Sequence, residues 1–200
     1  MYHNIIDGEN NREMVEEMKK IYVDAKEEFP SNAPKPRGKS IQLNCFVDSD
    51  HAGDRMTRRS QTGILIYGNS APLFWYSKKQ NTVESSTFGA EFVALRIATE
   101  LISSLRYKLR MFGVPVDEPA NVFCDNEAVY KNSAFAESRL KRKHQSICFH
   151  LVREAVAAEK IIVHKVNSKD NLADLLTKSV PAHRRKYLRS KIMFSEDGEW

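Results

Sequence analysis

Four short acidic motifs run through this chain, and each sets a carboxylate against an apolar run. They are Phe46-Val47-Asp48-Ser49-Asp50, Ala90-Glu91-Phe92, Cys124-Asp125-Asn126 and Asn171-Leu172-Ala173-Asp174-Leu175-Leu176. Asp and Glu are rarely tolerated beside a core unless they are paired or bind a metal. Asp48 and Asp125 each end a strand-like run, while Glu91 and Asp174 lie near the starts of apolar-periodic helices. A fold that gathers all four must neutralise their mutual repulsion. That requirement points to hard divalent cations, and so to phosphoryl chemistry.

The hydrophobic periods around these motifs predict the architecture. Ile41 to Val47 alternates in strand fashion and stops at Asp48, and Thr62 to Tyr67 and Leu73 to Ser77 form an antiparallel hairpin across Gly68-Asn69-Ser70. From Ser86 the period changes: Phe88, Phe92, Leu95, Ile102, Leu105 and Leu109 recur at helical steps until about Gly113. A short buried strand over Asn121 to Cys124 follows, with a helix opening at Asp125-Asn126. Then come a helix over Gln145 to Ala158, a strand over Ile161 to Val166, and a last helix starting within Asn171 to Lys178. This order predicts an α/β fold with a mixed five-stranded sheet, three antiparallel strands and then parallel ones, flanked by helices.

Domain boundaries follow from composition. Residues 1–39 read as an N-terminal appendage, with a charged helix over Glu13 to Phe29 and a linker rich in breakers (Pro30, Pro34, Pro36, Gly38). Residues 40–180 form the α/β domain, and 181–200 a basic C-terminal tail. The chain has 200 residues and a net charge of +5, a mild tilt towards polyanions. Its basic residues cluster at Arg58-Arg59, Lys78-Lys79, Arg139 to His144 and Arg184-Arg185-Lys186. The three cysteines (Cys45, Cys124, Cys148) are widely spaced, two of them within apolar strand patterns, which fits free buried thiols. No apolar run reaches membrane-spanning length and no signal-peptide layout is present, so no membrane partner is expected. The expected setting is reducing and intracellular, in cytoplasm or nucleus.

In open α/β sheets ligands collect at the carboxyl ends of strands, so Asp48 and Asp125 would stand side by side on adjacent parallel strands. Glu91, on the edge of the buried helix stripe, and Asp174, in a first helical turn, would face them. An all-oxygen set suits Mg2+ or Mn2+ over zinc, and two ions about 4 Å apart can drive in-line phosphodiester hydrolysis. Each motif also has a structural alternative: a helix N-cap at Asp125-Asn126, an i,i+4 pair between Asp174 and Lys178, a surface charge at Glu91, a turn cap at Asp48. His144 and His150, at i+6 spacing and without a cysteine pair, do not form a zinc set.

These residues carry a family resemblance. Phe-Val-Asp48-Ser-Asp50-His-Ala-Gly-Asp54, Arg-Arg-Ser60-Gln-Thr-Gly63, Trp75-Tyr-Ser-Lys-Lys-Gln80, Ser86-Thr-Phe-Gly-Ala-Glu91-Phe, Cys124-Asp125-Asn126, Lys143-His144, His150-Leu-Val-Arg-Glu154 and Ala173-Asp174-Leu-Leu-Thr-Lys178 occur in order. Over about residues 41–180 the chain resembles the ribonuclease H domain of a copia-type LTR-retrotransposon polyprotein. The segment before it resembles the connection to the reverse transcriptase.

The resemblance implies a ribonuclease H-like fold and two ions held by Asp48, Glu91, Asp125 and Asp174. Asp48 would bridge the ions, with Glu91 and Asp125 completing one site and Asp174 the other. The implied reaction is hydrolysis of the RNA strand of an RNA/DNA hybrid, leaving a 3′-hydroxyl and a 5′-phosphate. The reverse transcriptase part of the parent polyprotein is the implied partner, and retroelement particles a further location. Asp50 is an outer candidate near the metals. Candidate substrate contacts are Arg59, Ser60, Trp75, Lys78, Asn126, Lys143 and His144, with the Trp75 ring against sugars and the lysines on phosphates.

Two departures stand out. The commoner pattern before the helix glutamate is Ser-Ser-Thr-Glu-Ala-Glu, so one acidic residue is missing here. A mobile histidine before the last aspartate, thought to aid product release, has no counterpart in Asn167-Ser-Lys-Asp170, and His164 and Lys165 are weak substitutes. The alternative function is a catalytically inactive nucleic-acid-binding or interaction module left from such a polyprotein. An integrase- or resolvase-type nuclease is a third reading, less suited to a glutamate helix placed before the second aspartate.

Overall fold

The computed structural model describes residues 8–140 and 143–193. Strands β1 (Leu43–Asp50), β2 (Gln61–Gly68), β3 (Ala71–Lys79), β4 (Ala120–Cys124) and β5 (Ile161–Lys165) form one sheet in the order β3-β2-β1-β4-β5. The β1–β2 and β2–β3 pairs are antiparallel, and β1–β4 and β4–β5 are parallel, as expected. Helices α1 (Gly8–Ile21), α2 (Thr87–Met111), α3 (Glu127–Ala134), α4 (Ser146–Ala157), α5 (Asp174–Thr177) and α6 (Ala182–Ile192) flank it. Among the described residues, no helix is long and apolar enough to cross a membrane.

One sheet face is covered by the long helix α2 together with α4. Cys45, Val47, Ile64 and Ile66 from the strands meet Phe92, Leu95, Ala98 and Ile102 of α2 and Phe149 and Val152 of α4 in the main apolar cluster. Burial drives the thiols of Cys45 and Cys124 far above their ordinary pKa, so they are inert core residues. The opposite face carries a smaller cluster of Phe46, Leu65, Tyr67, Phe123, Leu172 and Leu188.

Several boundaries differ from the sequence reading. The N-terminal helix ends at Ile21, earlier than expected, and it is packed in: Val15 and Met18 join the main cluster. The segment directly behind it is tied down as well, because the buried Arg106 guanidinium grips Glu27 and the carbonyls of Glu118 and Val116. β1 runs through Asp50, held by pairing of Ser49 with Thr62 and Asp50 with Gln61 on β2. The expected last helix is split. α5 is a single turn, Lys178 turns extended, and Pro181, whose ring cannot continue a helix, precedes α6. Residues 182–192, within the expected basic C-terminal tail, are therefore helical, with Leu188 fully buried.

Candidate metal centre

β1 and β4 are paired in parallel only as far as Phe46 opposite Phe123. Beyond that pair the strands part, and the crevice between their carboxyl ends receives Asp48 from β1 and Asp125 just after β4. Asp48 lies on the same strand face as Phe46, opposite Gly63 of β2. A Cβ on Gly63 would stand 2.6 Å from Thr177 Cγ2 and 2.8 Å from the Ala173 carbonyl oxygen. The bare backbone there lets α5 approach the sheet and carry Asp174 into the crevice.

Asn171 fixes the approach from the other side. Fully buried, it donates through Nδ2 to the Val47 carbonyl at 3.0 Å and accepts from the Ala173 amide at 3.2 Å. One carboxylate oxygen from each of Asp48, Asp125 and Asp174 lies within 4.8 Å of the others. Asp48 and Asp174 are almost wholly buried.

Glu91 stands at the rim of this triad, on the first turns of α2, and is not among the three closest groups. Burial pushes its carboxyl up to about 8, Asn126 opposes this with a side-chain hydrogen bond, and Asp125 and Asp48 raise it further. The α2 turn bearing it starts at Ser86, whose hydroxyl accepts from the Gly89 amide. It is also moored by buried Gln80, whose Nε2 donates to the Ala90 carbonyl at 2.7 Å and to Thr62 Oγ1.

Burial likewise raises Asp174 to about 6, with its Lys178 hydrogen bond opposing and the charge of Asp48 adding to it. For Lys178, burial works against the charged form, but Asp174, Asp48 and Asp125 prevail and lift its pKa. The N-cap alternative at Asp125-Asn126 resolves to Asn126, which accepts from Ala128 N at 2.9 Å and Val129 N at 3.2 Å, leaving Asp125 to the crevice. The pair of Asp174 with Lys178 is present, at 2.7 Å.

The remaining candidates disperse. Ser60 is fully buried and accepts from the Ala52 amide, and Arg59 donates to the Gln80 carbonyl at 2.5 Å and to Asn81 Oδ1 at 3.1 Å. Ser60 is thereby spent inside the β1–β2 loop, and Arg59 ties that loop to the end of β3 while still lining the cleft beside the triad. Trp75 is 68% exposed on edge strand β3, opposite Leu65, hence on the α5–α6 side. Lys78 sits at an odd number of residues from it and points to the other side of the strand, so the two do not share one surface. Asp50 lines a cleft beside the triad and lies against Gly53.

Lys143 is exposed ahead of α4, and the side chain of His144 lies outside the described residues. His150 hydrogen-bonds Tyr22 Oη, and His164 is buried, stacked on Phe123 and bonded to Asn121 Oδ1. Burial lowers His164 to about 4, which suits a neutral core residue.

Three site residues escaped the sequence reading. Thr177 donates its hydroxyl to Asp48 Oδ2, Arg184 from α6 pairs with Asp174 Oδ2, and Gln80 moors α2. Only a dense run of basic residues marked Arg184, and nothing in that run tied it to Asp174. A cleft of about 610 Å³ opens beside Thr177 and Lys178 and is lined by Asp50, Arg55, Arg59 and Lys79. A larger one, about 730 Å³ between the end of α1 and helices α2 and α4, shares no residue with the site.

This sheet order is that of the ribonuclease H fold. The chain superposes on the N-terminal RNase H domain of a Mycobacterium tuberculosis protein with a TM-score of 0.53 at 15% identity, covering 69% of this chain and 91% of that one. On the metagenomic compost enzyme LC11-RNase H1, solved in complex with an RNA/DNA hybrid, the TM-score is 0.52 at 20% identity, over 68% of this chain and 94% of that one.

By sequence its relatives are retrovirus-related Pol polyproteins of transposons. That from transposon TNT 1-94 of Nicotiana tabacum is 32% identical over 142 residues, which is 71% of this chain and 11% of the polyprotein. The chain thus spans about a tenth of the length of the relatives it matches. No family model matches it.

Proposed function

We propose that this chain is a divalent-metal-dependent endoribonuclease that hydrolyses the RNA strand of RNA/DNA hybrids, the ribonuclease H part of a retrotransposon polyprotein. The observation that carries the reading is the convergence of Asp48, Asp125 and Asp174 within 4.8 Å in the strand-end crevice of a ribonuclease H fold, with Glu91 at its rim. The donor set is all carboxylate and largely buried, which suits Mg2+ or Mn2+ over softer metals. Burial and mutual repulsion already strain Glu91 and Asp174 towards protonation, as expected of a cluster built to be neutralised by cations. Glu91, Asp125 and the shared Asp48 would hold one ion, and Asp48 with Asp174 a second.

Bound ions would supply an activated water and charge stabilisation at the leaving 3′-oxygen. The chain itself supplies orientation. The Thr177 hydroxyl fixes one oxygen of Asp48, Asn126 steadies Glu91, and Asn171 sets the depth of Asp174. The cleft with Arg55 and Lys79 on its walls is suited to the phosphates of the hybrid. The hybrid-bound LC11-RNase H1 neighbour supports the substrate class, and the Pol relatives support a reverse transcriptase as partner in the parent polyprotein.

The test is cleavage of a labelled hybrid in Mg2+ by the chain, Asp48→Asn and Asp125→Asn. Each substitution is expected to lower the rate by about a hundredfold or more with circular dichroism unchanged. Cleavage equal to the parent chain overturns the site. Hybrid binding without any cleavage by the parent chain returns the inactive binding module.

A further inference from the structure

The Asp174 end of the crevice already holds two cations that belong to the chain. Lys178 Nζ is 2.7 Å from Asp174 Oδ1 and 3.5 Å from Asp48 Oδ2. Arg184 takes the other oxygen, Asp174 Oδ2, and the same nitrogen donates to the Ser168 carbonyl. Lys178 keeps 39% of its side chain exposed and Arg184 25%, and both are carried by anchored segments. Lys178 directly follows the single turn α5 that Gly63 draws against the sheet, and Arg184 belongs to α6, anchored by fully buried Leu188. The other end differs: among the described residues, Asp125 and Glu91 make no ion pair, and Glu91 is met by the neutral side chain of Asn126. The cluster therefore has an open end and a self-neutralised end.

We propose that Lys178 and Arg184 are resident counter-ions of the metal-free site, and that a divalent cation binds against Asp174 only by cation exchange. The ion expels the Lys178 ammonium and loosens the grip of Arg184. This rests on the crevice being the divalent-cation site argued above. The geometry leaves little choice. A hard cation bonds carboxylate oxygens at about 2.0–2.6 Å, and an ammonium already seated between Asp174 and Asp48 fills the space such an ion needs. The first ion is thus accepted at the Asp125–Glu91 end, and the second is weakened by the charges it must displace. Once displaced, Lys178 stands beside the cleft that also carries Arg55 and Lys79, free to meet a phosphate.

The test is calorimetric titration of the full chain with MgCl2 and MnCl2, for the parent, Lys178→Met, Arg184→Met and Lys178→Arg, with melting temperatures in EDTA and in Mg2+. Lys178→Met and Arg184→Met are expected to bind the weaker ion about tenfold more tightly, or to bind one where the parent binds none. Lys178→Arg, which keeps the charge, should stay near the parent. Lys178→Met should also melt lower in EDTA and regain more stability from Mg2+ than the parent does. If it does not fold without metal, Arg184→Met still reads the exchange. Metal affinity unchanged in both neutral variants overturns the proposal while leaving the nuclease reading intact. Tighter binding in a chain that never cleaves hybrid keeps the exchange and overturns the nuclease.

Discussion

The sheet face under α2 and α4 is closed by Phe92, Leu95, Ile102, Phe149 and Val152 over Cys45, Val47, Ile64 and Ile66. The face under α5 and α6 has Phe46, Leu65, Phe123, Leu172 and Leu188, then gives way to Asp48 and Asp174. One face stores stability and the other holds charge. A carboxylate cluster cannot sit within a thick apolar layer without large desolvation cost. Here it sits where the apolar layer is thin, the strands part and a single helical turn replaces a full helix. The thick face keeps that arrangement from collapsing the fold.

Substitutions can separate the two. Phe92→Ala, on the thick face, is expected to cost about 3–5 kcal/mol in urea unfolding and to remove function only by unfolding the chain. Leu188→Ala should cost less, about 2–3 kcal/mol, yet lower hybrid cleavage at temperatures where the chain stays folded, because it loosens the packing of Leu172 and Ala173 that carries Asp174 into the crevice. Equal losses of stability and activity in both variants would break the division between faces. Gly63→Ala should push α5 off β2 at about 1–2 kcal/mol, with a larger fractional loss of cleavage than of stability.

Glu91→Gln has the opposite sign. Burial holds this carboxyl at about 8, above its ordinary value of 4.5, so the folded chain binds the proton more tightly than the unfolded one. Stability is therefore highest below the ordinary value and is lost as pH rises from there towards 8. Without metal, the amide should stabilise the chain at pH 8 and make no difference at pH 4, while weakening metal binding. Melting curves in EDTA at the two pH values measure this.

The thick face was legible in the sequence because its signals are local. The period change at Ser86, the alternation of Ile41 to Val47 and the turn at Asn69 each fixed an element from its neighbours alone. Three of the four carboxylates were legible for the same reason, since an Asp closing an apolar strand run or opening a helical turn is a local anomaly. Glu91 was placed in the cluster from its helix stripe and stands at the rim of the triad.

What resisted reading depends on contacts between distant segments. Ser60 looks like a polar group available to substrate, yet the fold consumes it in the β1–β2 loop through Ala52, whereas Arg59, bonded to Gln80 and Asn81, keeps its place on the cleft wall. Trp75 and Lys78 look like one surface until strand parity sends them to opposite sides. Arg184 looked like tail charge because its helix becomes visible only when Leu188 is seen to be buried.

The most direct test of the account offers the purified chain four labelled substrates: RNA/DNA hybrid, single-stranded RNA, single-stranded DNA and duplex DNA. Each is incubated with Mg2+ and with EDTA, alongside Asp48→Asn as the control. Mg2+-dependent internal cuts are expected in the RNA strand of the hybrid alone, lost in EDTA and in the variant. Cleavage of the other three substrates at a comparable rate, or hybrid cleavage that survives EDTA or Asp48→Asn, would contradict it.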